Sequence, residues 1–383
     1  MLRFLIHRPK WIVVVVGLLI FWLTQTEWLT QSQLWQKAEG VFIDRRYVLR
    51  GPMRPAPEIK LVGLGTSAFK LDTLAPEEIA ASPTLQLMQQ PWPWDRSVYA
   101  AVLDKLMAAG AKVVVFDFVF ASQTEGDDAF ARVLEKYPDR VVIGEMFADE
   151  KGLDNKTKRL ITPNERLLLP GAQSIVGLVN IWPDADDVVR HNIYRTSLEH
   201  ESGLAGPDDL THITLLAAKK FRGLTSAPPY GAPNFINFQG PAGTYRPFPI
   251  ENMFVDALWQ KPPFQNGLVF SNKIVIVGPM AEIFHDVHTT PFGEMPGPEI
   301  QAQILGALLR GSWLVGTSLE VNFLLPLGAV LLAVLICLGI PQALLKSLVA
   351  ALATLAFLVA CQLAFNNFKL VVPPSASEKP SGS

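Results

Sequence analysis

The chain predicts an α/β domain, a mostly parallel sheet flanked by helices, tethered by transmembrane α-helices. Three observations lead there. Long apolar segments stand at the two ends, Trp11–Leu23 and a back-to-back pair between Val321 and Phe365. A mixed stretch from Thr26 to Glu320 separates them, and in it short apolar runs alternate with helical patterns. One of those runs, Lys112-Val-Val-Val-Phe-Asp117, is apolar almost throughout, as strands buried on both faces are.

Arg3, Arg8 and Lys10 precede the first apolar segment, so the positive-inside rule keeps the N-terminus in the cytoplasm and the large block outside, periplasmic or extracellular. The strictly apolar run is short of the roughly 20 residues a spanning helix needs. Starting at Pro9 and running to Leu29 supplies them, with Trp11, Trp22 and Trp28 at interfacial depths. The alternative is a cleaved signal peptide, but Thr-Gln-Thr-Glu-Trp28 offers no small-x-small cleavage site. Leu34, Ala38, Val41, Phe42 and Val48 then recur at helical spacing, so the membrane helix is expected to continue as a stalk over 30–50 and to stop at Gly51-Pro52.

In the block 51–315, Ile59–Leu64 reads as a first strand. Asp95–Ala109 is a helix capped by Asp95 and ended by Gly110, and Lys112–Asp117 is the buried strand. Strand, helix, glycine and buried strand make a βαβ unit with parallel strands. The pattern goes on with helix Asp127–Lys136 and strands Arg140–Gly144 and Ser174–Val179. After these come helix Thr211–Phe221, strands Asn234–Phe238 and Lys273–Val277, and helix Pro298–Leu309. Spans over 321–340 and 346–365, broken by Pro341-Gln342, lead to a polar tail over 369–383, expected to be disordered. Three spans leave that tail outside; either the chain stops there or a longer protein has been cut short.

A formal net charge of −2 gives no electrostatic case for a nucleic-acid partner. Both cysteines, Cys337 and Cys361, fall in the terminal apolar segments, so the large block uses neither disulfides nor thiolate metal sites. In doubly wound sheets ligands bind beyond the carboxyl ends of the strands. Asp117 closes one strand there, and Gly278 followed by Asp286 closes another; the carboxylates could take a cation, an amine or a hydroxyl-rich ligand, or Asp117 could simply cap a turn. Pro91-Trp-Pro-Trp-Asp-Arg96 is a rigid aromatic surface with Arg96 available to an anion, or else a loop packed on the core. His285-Asp-Val-His288 suggests a metal but lacks a third ligand cluster. Nucleophile elbows, phosphate loops and dinucleotide fingerprints are absent, so no catalytic residue, cofactor or resident metal is expected.

Several stretches together resemble the type-two CHASE domain, the extracellular sensory module of bacterial cyclases and histidine kinases. The resemblance runs through Asp44-Arg-Arg-Tyr47, Leu49-Arg-Gly-Pro52, Pro91–Arg96, Ala109–Phe120 and Asp127-Asp128. It continues in Asp184-Ala-Asp-Asp-Val-Val-Arg190 and Ile236-Asn-Phe-Gln-Gly-Pro241, and is most specific from Lys273 to Gly278, through Asp286 and Thr290-Pro291, to Met295–Ala302. Asp187 stands where the family's aspartate-glycine-x-x-arginine element has glycine, and Gly65 stands where its first strand ends in aspartate.

The resemblance implies a membrane-anchored bacterial sensor that binds an unknown small molecule and signals through its spans to a cytoplasmic effector. The expected ligand residues are Asp117, Asp286 and Glu299, with Trp92, Trp94 and Arg96 as a lid, and Asp128 and Arg190. A homodimer in membrane lipid, with a membrane or envelope signalling partner, is expected. The alternatives are a stand-alone tethered binding module and, behind it, a periplasmic metal-dependent hydrolase using His285, Asp286 and His288.

Overall fold

A computed structural model describes residues 9–30, 32–149, 158–168, 175–224 and 233–372. Five parallel strands build the centre of the sheet in the order β6 (Pro247–Pro249), β1 (Ile59–Leu64), β7 (Ile274–Pro279), β2 (Val113–Val119), β3 (Val141–Asp149). Beyond β3 lie β4 (Lys158–Ile161), antiparallel, and β5 (Val176–Leu178), parallel. The apolar runs predicted the central strands because side chains on both faces are covered. One core contains Val62, Leu64, Val114, Phe116, Val141 and Ile143 under helices α3 (Arg96–Ala108) and α4 (Asp127–Lys136). The other contains Leu61, Val113, Val115, Val142 and Ile276 under α5 (Ile213–Arg222), α6 (Gly297–Leu309) and the stalk helix α2 (Gln33–Arg50).

The local signals act as read. Asp95 accepts a hydrogen bond from the backbone N–H of Ser97 at 2.7 Å, fixing the start of α3, and Gly110 at φ +83° turns the chain into β2. Every residue of α6 is buried, which suits a helix laid across the sheet and covered by loops on its other side.

Two expectations need correction. The membrane helix and the stalk are not one rod: α1 (Pro9–Thr24) ends after 16 residues, a four-residue helix Glu27–Thr30 follows, and Ser32 caps the separate α2. Thr24 and Thr26 donate to the carbonyls of Phe21 and Leu23, and these side-chain bonds compete with the helical ladder where the two would join. Asn234–Phe238 does not join the parallel sheet either. Only Pro233–Phe235 is strand, and it pairs antiparallel with His191–Ile193 in a separate ribbon.

Among the described residues two helices are long and apolar enough to cross a membrane: α7 (Leu319–Gly339), over Glu320–Gly339, and α8 (Ala343–Leu363), which continues in a wider turn to Phe368. α1 packs on α7. Phe21 meets Phe323 edge-on at 5.2 Å, and at Gly17 a Cβ would stand 3.0 Å from Val330, so the absent side chain sets how closely the helices approach. After α8 the chain turns back to the domain, so residues 369–372 of the expected disordered tail are ordered, held by strand pairing and burial; 373–383 lie outside the described residues. Leu370–Val371 pairs parallel with Val315–Gly316, Lys369 Nζ donates to the carbonyl of Gly311, and Phe365 and Val371 are buried in the second core.

Candidate functional site

The predicted site residues separate into four groups. The first is the carboxyl edge of β2 and β7. The register between β2 and β3 slips between Val115 and Val119, so Asp117 sits at an irregularity rather than in a regular ladder. Its side chain lies on the face of Gly278, where a Cβ would come 3.2 Å from that of Asp117 and 2.5 Å from Pro298 at the start of α6. Asp286 packs on Gly297, which a Cβ would bring to 2.3 Å from its carboxylate oxygens, and accepts from His288 Nε2 at 3.0 Å. Asp117 is buried, and burial first, then the nearby Asp286 charge, hold its carboxyl well above the usual carboxylate range. Asp117 and Asp286 therefore lie close enough for their charges to interact. Glu299 lies in the first turn of α6 but accepts from the backbone N–H groups of Gly243 and Tyr245, both at 3.0 Å, so its visible role is to pin that loop.

The second group is aromatic. Trp94 is fully buried and stacks on Phe69 at 4.9 Å, while Trp92, 37% exposed, contacts Phe69, Trp94 and Phe284 edge-on. Phe284 belongs to the loop that carries Asp286, so one short loop touches both the carboxylates and the tryptophans. In the third group Arg96 is buried, 3.5 Å from Asp127 and 4.8 Å over the ring of Phe120, a structural ion pair beneath the loop. Asp128, beside Asp127, faces solvent and pairs with Arg166 at 3.4 Å.

The fourth group lies on the stalk side of the domain. Arg190 is 2% exposed and gathers three carboxylates. Asp44 of α2 is bidentate, at 2.7 Å to Nε and 2.8 Å to Nη2. Asp184 accepts from Nη1 at 2.9 Å, and Asp186 accepts from both terminal nitrogens at 2.8 and 2.9 Å. A guanidinium fork suits such a site because its fixed donors match carboxylate geometry. Burial alone would push Arg190 down and Asp184 up. The hydrogen bonds outweigh it, holding the guanidinium charged and, with His191 at 2.8 Å, Asp184 below its ordinary value.

Two backbone features let the four charges meet. Gly40 on α2 faces Arg190, where a Cβ would stand 2.6 Å from Nη2. Asp187 adopts φ +63°, the left-handed conformation glycine takes most easily and aspartate tolerates, which accounts for the substitution at that turn. Next to the joint is a cavity of about 310 Å³ lined by Gln36, Glu39 and Ile43 of α2, by Asp184, Asp186, Arg190 and His191, and by Thr317 and Asn322 where α7 begins.

Reading the motifs separately missed this joint, because Asp44 and Arg190 lie 146 positions apart. Each stood in a motif already noted, Asp44-Arg-Arg-Tyr47 and Asp184–Arg190, but only the fold shows that they are one feature. The metal reading gains nothing: among the described residues no three histidine, cysteine or acidic side chains are grouped to hold an ion.

No curated protein and no solved structure matches the chain. A family model described as the CHASE2 domain matches residues 12–340, from the first apolar helix through the sheet and the stalk joint to the end of α7. With that span matched, the chain belongs to the CHASE2 family of extracellular sensory domains.

Proposed function

We propose that this protein is a membrane sensor. Its domain, held on the outer side of the membrane, takes up a small molecule and passes the change through the Arg190 joint to the stalk and spans, and so to a cytoplasmic effector. The observation that carries this reading is the buried Arg190–Asp44 pair. It fastens the helix leaving α1 to the Asp184–Arg190 turn of the domain, next to the start of α7. A buried, fully bonded guanidinium gives such a contact two distinct states, made or broken, which is what a relay requires.

The cavity beside the joint is the favoured ligand position. Its size falls within the range of small-molecule pockets, roughly 300–1,000 Å³. Asp44, Asp184 and Asp186 outnumber Arg190 at the joint, so a small organic cation is the class that fits. A second position has its own support. Asp117, buried with a raised pKa beside Asp286, lies at the sheet edge where ligands of this architecture bind.

The test is thermal stability of the full chain in lipid nanodiscs against a panel of amines, amino acids, sugars and divalent cations, followed by amide exchange over Gln33–Arg50. A ligand that raises the melting temperature should also alter exchange in the stalk. Asp186→Asn should abolish its effect if it binds at the joint, and Asp117→Asn if it binds at the sheet edge. Binding that leaves stalk exchange unchanged would reject the sensor in favour of a tethered binding module.

A further inference from the structure

Helix α2 has two apolar faces, and the domain explains only one. Gly40, Ile43 and Tyr47 are buried against the domain. Tyr47 donates to the carbonyl of Ile236 at 2.7 Å and meets Phe365 edge-on at 5.0 Å. The start of α7 lies near Gln36 and Glu39, and Gln362 at the end of α8 donates to the carbonyl of Arg46 at 3.1 Å. The domain and both outer helix ends are thus gathered on one side of the stalk.

On the opposite side Leu34 is 84% exposed, Val41 56%, Phe42 53%, Val48 51% and Leu49 73%. Leu34, Ala38, Val41, Arg45 and Val48 follow one another in steps of four, three, four and three. That is the average spacing of 3.5 that keeps a straight seam facing a partner helix, with Phe42 and Leu49 flanking it.

We propose that this seam is a parallel two-stranded contact with a second copy of the chain. α2 begins nine positions after α1 ends, at Gln33 against Thr24. Two copies inserted in one membrane therefore present the seam at the same height and in the same direction. A two-fold axis along the membrane normal then sets each position against itself. Contact with a membrane surface would not require the alternation of four and three. Arg45 is the only charge in the seam, and in a symmetric pair it faces its own copy. A polar residue at such a position sets register at a cost in affinity, which leaves the pair adjustable. The contact stands whatever the domain binds.

The test uses the full chain in native membranes, with Cys337 and Cys361 replaced by alanine. Under mild oxidation Val41→Cys and Val48→Cys should form dimers at least several-fold more efficiently than Gln33→Cys, exposed but turned away from the seam. In detergent, Arg45→Leu should tighten self-association by about three- to ten-fold and Leu34→Glu should weaken it. Equal cross-linking at positions 33 and 41 would overturn the proposal, as would an Arg45→Leu variant that associates no better than the parent. Quenching of a fluorophore at position 41 by spin-labelled lipid, with no dimer formed, would assign the face to the membrane surface instead.

Discussion

Asp117 and Arg190 are both buried charged residues, and the chain treats them in opposite ways. At the sheet edge, burial and the nearby Asp286 favour the uncharged form of Asp117. At the stalk, three carboxylates favour the charged form of Arg190. A group kept neutral can be replaced by an amide of the same shape with little loss, whereas a group kept charged holds its partners in place, and removing it strands them. The first kind of site is suited to changing its protonation or its ligand, the second to holding two elements in one relation.

The sharpest way to break this contrast is Arg190→Ala, which leaves Asp44, Asp184 and Asp186 crowded and unpaired. The expected loss is about 3–5 kcal/mol of stability by thermal or denaturant unfolding, with Arg190→Lys recovering part of it. A loss no larger than that of a surface substitution would mean the joint is ornamental.

Next comes Glu145, on β3 next to the strand of Asp117, whose carboxyl burial pushes up to about 7. An acid with a raised folded pKa contributes its stability fully below its ordinary value near 4.5, and loses it as pH rises toward 7. Glu145→Gln should therefore match the parent near pH 4 and exceed it by about 3 kcal/mol at pH 8. Asp117→Asn should shift the pH profile in the same direction, opposite in sign to any loss at Arg190.

Tyr47→Phe removes one buried hydroxyl and its bond to Ile236 while keeping the ring, and should cost about 1 kcal/mol. Asp128→Ala, at an exposed pair with Arg166, should leave the melting temperature unchanged within error. A clear effect there would point to a role of Asp128 beyond the ion pair.

The sheet was legible because its signals are local. The Ile59–Leu64 strand and the Asp127–Lys136 helix fall where periodicity and capping place them, and Asp95 and Gly110 bracket α3 as read. The edge strand Pro247–Pro249 was not legible: two of its three residues are prolines, tolerated only because one side has no neighbour. The ribbon at Pro233–Phe235 misled because an apolar run shows that a strand forms, not which partner it pairs with. At the site, the pairing of Asp117 with Asp286 followed from strand ends, a rule of position. The Arg190 joint, the Gly40 gap and the anchoring of Glu299 depend on contacts across long stretches of sequence, which no spacing in the chain encodes.

The return of the chain after α8 has a consequence for how the molecule is made. Phe365 and Val371 fill places in the second core, and Leu370–Val371 supplies a strand to the segment that leaves the domain. A nascent chain translated only as far as Gly339 lacks these pieces, so its domain is left with a hole where two large side chains belong. The second core is therefore finished only when the chain beyond α8 has been made and has returned to it.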